Sequence, residues 1–176
     1  MSTQLPVMVQ KPSEFQRLLD ILRDLRPQSL LEIGVFQGGS LARFATAAAP
    51  RALILGIDLA PPPTVPHGPL QRLQLIAGNA RDAFVRAQVV DILDGHQLDF
   101  LFIDGDHRAA LQDFAEYGPL VHPGGIIAFH DIVPGPPSDV GTVPQDWQAL
   151  KRGRPHLELV ENWGQGGYGI GVIWQT

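Results

Sequence analysis

Five near-continuous apolar runs, at 29–34, 52–58, 73–78, 98–104 and 125–131, each end in a glycine or a carboxylate. They are interleaved with segments of helical period at 13–25, 38–49, 81–93, 108–117 and 145–151. A sheet with one wet face alternates apolar and polar residues, whereas a strand covered on both faces has no position left for a polar side chain. Helices interleaved with such strands supply the two covers. The pattern therefore predicts a doubly wound α/β sheet, mostly parallel. Two further β-rich runs, 157–163 and 168–174, are joined by Gly164-Gln-Gly-Gly167, which is short enough for a hairpin. The expected architecture is a single-domain, seven-stranded sheet that ends in an antiparallel strand pair.

Local signals refine this plan. Ser13 followed by Gln16 resembles a capping box, and Phe15, Leu18, Leu19, Leu22 and Leu25 recur at helical spacing up to Pro27. Residues 61–69 read as a Pro-rich loop, 119–125 as a turn, and 134–144 as a loop before the last helix. A length of 176 residues gives one domain, with 1–27 as an N-terminal helical extension and 28–176 as the domain proper.

Composition removes several chemistries. Cysteine is absent, which excludes disulfides, thiolate metal sites and thiol nucleophiles, so oxygen and imidazole must carry any reaction. Thirteen basic against 18 acidic side chains, with no basic block longer than two, disfavours a nucleic-acid partner. Residues 1–10 lack a secretory pattern and no run of about 18 apolar residues occurs, so a cytoplasmic protein without a membrane partner is expected.

In open α/β sheets ligands bind beyond the carboxyl ends of the strands. Here those ends carry Glu32 with Gly34, Asp58, Gly78, Asp104, and His130 with Asp131. The first loop departs from the dinucleotide fingerprint, because Phe36 stands where its second glycine would let a pyrophosphate approach. Glu32 would repel phosphate but attract a cationic amino group. Asp58, about 20 residues further on, suits ribose hydroxyls. Together these point to S-adenosylmethionine, a nucleoside with an amino-acid tail and no phosphate.

With Glu32-Ile-Gly34 to Gly38 as motif I and Asp58 after the second strand, the sequence resembles class I S-adenosylmethionine-dependent methyltransferases. More narrowly, Leu101-Phe-Ile-Asp-Gly-Asp-His107 and Pro123-Gly-Gly-Ile-Ile-Ala-Phe-His-Asp131 resemble the small bacterial enzymes of methyltransferase family 24. Those are similar in turn to metal-dependent catechol-type and macrolide-sugar O-methyltransferases. The resemblance spans roughly residues 25–176 and makes 28–176 an S-adenosylmethionine-binding methyltransferase domain. It implies that Gly34, Phe36, Gly38 and Ser40 surround the methionine end of the cofactor, with Glu32 and Asp104 beside it. Asp58 would take the ribose, and Gly78, Asn79 and Ala80 the adenine. It also implies Asp104, His130 and Asp131 as ligands of a divalent metal, and His107 as general base. His130 stands where the catechol and macrolide enzymes usually have an acid. Oxygen ligands suit Mg²⁺, and an imidazole shifts the preference toward Mn²⁺, Fe²⁺ or Zn²⁺.

The chemistry needs these groups for its own reasons. A hydroxyl must lose its proton to attack a sulfonium methyl, and a cation with a neighbouring imidazole achieves that near neutral pH. The reading is thus a metal-assisted O-methyltransferase acting on a small hydroxylated molecule. Two others stay open: a cofactor-binding module without catalysis, and a phosphohydrolase using Asp104-Gly-Asp106, although Arg108 stands where that motif expects threonine. Asp106 either orients His107 or merely turns the chain. His67, His96 and His156 read as solvated turn residues, and His122 as lying near a helix C-terminus. Trp147, Trp163 and Tyr168 read as core or hairpin aromatics, with the alternative that one of them lines the acceptor pocket. Little chain is left over to cover a substrate, so a large acceptor or a second subunit in a homo-oligomer would complete the pocket.

Overall fold

The computed structural model describes residues 5–176, and the first four residues of the 1–27 segment lie outside them. Ser29–Ile33 (β1) is buried along its whole length, and its neighbours Leu30 and Leu31 belong to opposite cores. Leu30 joins Phe15, Leu18 and Phe44 on one face, while Leu31 joins Val85, Val89 and Tyr117 on the other. That division is why the strand shows no alternation. The first core is closed by Pro12–Leu25 (α1) and Gly39–Ala47 (α2), the second by Ala83–Leu93 (α3), Ala110–Tyr117 (α4) and Val143–Leu150 (α6). A short helix, Pro137–Val140 (α5), precedes α6.

The sheet has seven strands in the order β3-β2-β1-β4-β5-β7-β6. Leu53–Asp58 (β2), Arg72–Ala77 (β3), Leu98–Ile103 (β4) and Val121–His130 (β5) run parallel with β1. Ile170–Trp174 (β7) is antiparallel to both β5 and His156–Leu159 (β6). This is the expected single-domain Rossmann-like sheet with its antiparallel end. No helix among the described residues is long and apolar enough to cross a membrane.

Several local expectations are corrected. Lys11 occupies the N-cap of α1 and Pro12 its first turn, so Ser13 caps nothing and donates instead to Glu161 Oε1 at 3.1 Å. The 119–125 turn is a 3₁₀ turn, Gly118–Leu120, followed by the start of β5, whose register against β4 shifts between Leu98 and Phe100. Helix α6 begins earlier than residue 145, because Pro144 fits a helix's first turn, where its missing N–H would have no partner. The last two strands are joined by 160–169, not by a tight hairpin at 164–167. The organiser is Glu14 of α1, which is 1% exposed. Its Oε1 accepts from the Glu161 N–H at 2.9 Å and the Gln165 amide at 2.8 Å, and its Oε2 from the Gly169 N–H at 2.9 Å. A buried carboxylate thus supplies hydrogen bonds that a hairpin turn would otherwise make. His122 lies in β5, two residues past the end of the 3₁₀ turn, and pairs with Asp99 at 3.0 Å.

Candidate active site

A cleft of about 800 Å³ opens along the carboxyl ends of β1, β2, β4 and β5, within the roughly 300–1,000 Å³ typical of ligand sites. Its first wall is the loop from Gly34 to Gly38. Gly34, Phe36 and Gly38 all have positive φ, at 91°, 49° and 81°. Gly34 cannot be replaced freely, because a Cβ there would run into the Asp104 carbonyl at the end of β4. Asp58 fixes the loop from the side: its Oδ2 accepts the Phe36 N–H at 2.8 Å and its Oδ1 the Ala60 N–H at 2.9 Å. Helix α2 starts at the loop's end with no side-chain cap, and its first residues, Gly39 and Ser40, line the cleft. Glu32 lies beneath, fully buried, and receives the Ser40 hydroxyl while its Oε2 has no partner. Burial pushes the Glu32 carboxyl well above the usual range, and the Ser40 bond only partly offsets this.

The second wall joins β4 to β5. His130 is 5% exposed, and its Nδ1 lies 3.1 Å from both Asp104 Oδ1 and Asp131 Oδ2. His107, in the turn after β4, places Nε2 3.3 Å from Asp131 Oδ2 and 3.8 Å from Asp104 Oδ1. Burial alone would raise Asp104 and lower His130; the mutual charges and hydrogen bonds overcome it, holding Asp104 at about 2 and His130 at about 10. His107 is raised chiefly by Asp104, against an opposing effect of its burial and with help from Asp131. Asp131 leaves the strand with φ 61° and anchors its other oxygen on the Tyr168 N–H at 2.8 Å. Asp104, His107 and Asp131 can each offer one ligand atom, all within 4.8 Å of one another.

The structure therefore brings Gly34, Phe36, Ser40, Asp58, Gly78, Asn79, Ala80, Asp104, His107, His130 and Asp131 around one cleft, Gly38 heads the helix beside it, and Glu32 lies buried beneath Ser40, outside the lining. Asp106 turns away from His107. It pairs with Arg81 at 3.0 Å and accepts the Arg108 N–H at 3.1 Å, which holds its carboxyl down. Asp106 is thus a turn residue, and Asp104-Gly-Asp106 does not present two free carboxylates. Trp147 is buried with its indole N–H on Glu158 at 2.7 Å, whereas Tyr168 lines the cleft. Trp163 is half exposed and stands outside the cleft lining. His67, His96 and His156 also lie outside it.

Gln10 and Asp113 are among the cleft residues that escaped the sequence reading. Gln10 donates from Nε2 to Asp104 Oδ2 at 2.6 Å, and its own Oε1 is buried without a partner. The contact spans 94 residues of chain, and no local spacing announces it. Asp113 of α4 is 2% exposed and lines the cleft as well.

A family model described as a methyltransferase domain matches residues 31–132, a stretch that contains every strand-end residue of the cleft. No curated protein matches the sequence. Among solved structures, the O-methyltransferase from Bacillus cereus in complex with SAH aligns with a TM-score of 0.68 and 16% identity, over 97% of this chain and 84% of that one. The O-methyltransferase TomG from Streptomyces achromogenes, involved in tomaymycin synthesis and in complex with SAM, gives 0.69 and 17% over 98% and 82%. The MycE methyltransferase from the mycinamycin biosynthetic pathway, in complex with Mg and SAH, gives 0.51 and 26% over 66% of this chain and 32% of that one.

Proposed function

The chain belongs to the methyltransferase-domain family and is an S-adenosylmethionine-dependent methyltransferase; from that premise we propose that it methylates a hydroxyl oxygen of a small molecule, assisted by a divalent cation at the ends of β4 and β5. The observation that carries this reading is the convergence of two carboxylates and two imidazoles at adjacent strand ends, on the rim of the cleft that the glycine loop also lines.

The residues fit both groups. Adjacent ligands of an octahedral ion bonded at about 2.1 Å stand about 3 Å apart. His130 Nδ1 stands at that separation, 3.1 Å, from both Asp104 Oδ1 and Asp131 Oδ2, and would bind the ion once the proton it shares with them is displaced. For the cofactor, the uncapped start of α2 suits the methionine carboxylate and Asp104 suits its ammonium, with Glu32 buried beneath and holding Ser40 at the start of the helix. Asp58, bonded to backbone through one lone pair on each oxygen, keeps capacity for ribose hydroxyls. Gly78, Asn79 and Ala80 line the cleft where the adenine would lie, and Tyr117 steadies them by donating to the Ala80 carbonyl at 2.6 Å.

When bound, Mg²⁺, or Mn²⁺, Fe²⁺ or Zn²⁺ given the imidazole ligand, supplies charge that lowers the pKa of a chelated hydroxyl. S-adenosylmethionine, held by the residues above, would supply the methyl group and would leave as S-adenosylhomocysteine with the carbon–sulfur bonding pair on sulfur, while His107 Nε2 would take the acceptor's hydroxyl proton. His107 is about a third exposed and returns the proton to solvent. Val140 and Tyr168 give the acceptor an apolar wall beside the cluster. MycE, complexed with Mg and SAH, supports the pairing of metal and cofactor. A second reading has its own support: Asp104, His107 and Asp131 as the ligand set, all within 4.8 Å, with His130 bracing the two carboxylates.

A screen of catechols and vicinal diols by cofactor consumption, with and without EDTA, tests the proposal. Turnover that EDTA abolishes and Mg²⁺ or Mn²⁺ restores is expected; methyl transfer unchanged by exhaustive chelation overturns the role of the metal. Loss of metal affinity in His130→Ala but not His107→Ala supports the first ligand set, and the reverse supports the second.

A further inference from the structure

One buried group of the cleft has no part in the reaction just described. Asp113, in the first turn of α4, is 2% exposed, lines the cleft, and among the described residues has no hydrogen-bond partner for its Oδ1. Tyr117 follows one turn later on the same helix face, and its hydroxyl is satisfied by the Ala80 carbonyl at 2.6 Å. Arg81, whose charge acts on Asp113, gives its guanidinium to Asp106 at 3.0 Å. The wall formed by 79–81 and α4 therefore contains a carboxylate that its surroundings leave without a donor. Burying an acceptor unpaired is costly, and folded proteins keep such groups where a water or a ligand completes them.

The donor can be named from the site's own chemistry. Asn79 and Ala80 line the same stretch of cleft, where the adenine of the cofactor is placed by the reading above. Adenine's base edge offers acceptors at its ring nitrogens and a donor only at its exocyclic amine. We infer that Asp113 accepts a hydrogen bond from the 6-amino group of the cofactor's adenine and so makes the cleft select an aminopurine over a 6-oxopurine. A 6-oxo group would set a second acceptor against the carboxylate, and a purine without the amine would leave Asp113 unpaired as it is in the free protein. The carboxylate thus acts as a specificity determinant for the cofactor, not as a group in methyl transfer. The inference rests on the cofactor reading, and its test separates the two.

Calorimetry on the full chain should compare S-adenosylhomocysteine with its 6-oxo analogue, S-inosylhomocysteine, and with the analogue lacking any 6-substituent. Both analogues should bind the wild-type protein roughly ten- to a hundred-fold more weakly, the range of a lost hydrogen bond to a charged group. In Asp113→Asn, where the side chain can donate or accept, the gap between the amino and 6-oxo ligands should shrink to about three-fold or less. Asp113→Ser provides a second variant of smaller volume, and denaturant unfolding checks that each variant is folded. If the wild-type protein binds all three ligands equally, the inference is wrong while the cofactor reading stands. A wild-type gap that persists unchanged in both variants assigns the amine to another group and equally overturns it. If none of the ligands binds the wild-type protein, the cofactor reading fails, and this inference with it.

Discussion

At the ends of β1 and β2, backbone conformation shapes the cleft. Three of the five residues from Gly34 to Gly38 adopt positive φ, and Asp58 grips the loop through N–H groups of the main chain. At the ends of β4 and β5, side-chain charge does the shaping: Asp104, His107, His130 and Asp131 hold one another within 3.1–3.8 Å, and Asp131 adds a backbone tie, to Tyr168. The difference follows from what each wall must do. A loop that cradles a neutral or zwitterionic ligand needs shape and oriented N–H groups, whereas a wall that deprotonates a hydroxyl needs charge that can be shared with a cation or a proton. The two walls touch at Gly34, whose missing Cβ makes room for the Asp104 carbonyl.

That contrast can be broken from either side. His107→Ala should lose roughly 10² to 10⁴ in kcat, the scale of a removed general base, while S-adenosylhomocysteine affinity by calorimetry stays within error. An equal loss of cofactor affinity would erase the division of labour. Gly34→Ala, at the seam, should cost on the order of 3 kcal/mol in urea unfolding, from the positive φ and the clash together, and should weaken cofactor and metal binding alike. Asp58→Ala should weaken S-adenosylhomocysteine by about 1.5–3 kcal/mol without altering metal affinity; a changed metal affinity would mean that the walls are coupled beyond Gly34.

The smallest effect concerns Asp113, whose carboxyl burial raises to about 6, with Arg81 opposing and Asp106 adding to the shift. Tyr117, on the same face, is pushed up to about 12 by its own burial and by Asp113, so it stays neutral in this range. Because the folded pKa exceeds the unfolded value of about 3.9, the folded state holds the proton more tightly, and stability falls as pH rises from about 4 to about 6. Asp113→Asn should remove that fall, leaving the ligand-free variant up to about 2 kcal/mol more stable than wild type at pH 7 and about equal to it at pH 4. Parallel stability curves for the two proteins would show that Asp113 is not the group responsible.

Most of the sheet could be read from the chain because burial on both faces leaves a plain signature: Leu30 and Leu31, or Phe100 and Leu101, point to opposite cores, so the central strands appear as near-continuous apolar runs, whereas β3, at the sheet edge, carries Arg72 and Gln74 and is largely exposed. The strand-end acids could be read for the same reason, since a carboxylate that closes such a run stands out. What escaped has a common cause, the long-range partner. Gln10 meets Asp104, and Glu14 meets Glu161, Gln165 and Gly169, over separations that no periodicity encodes. Asp113 sits at an ordinary polar position of a short helix, and only the packing of α4 against 79–81 makes it buried. Ser13 failed as a cap because Pro12 already fixed the helix start one residue earlier.

The most direct test of the division between the walls is a calorimetric titration of Mn²⁺ into the protein saturated with S-adenosylhomocysteine, for wild type and Asp131→Asn. The account predicts one ion per chain in the wild type, a loss of at least about ten-fold in ion affinity in Asp131→Asn, and unchanged S-adenosylhomocysteine affinity in both. A wild-type protein that binds the cofactor yet takes up no divalent ion, or an Asp131→Asn protein that binds the ion as tightly as wild type, would contradict it.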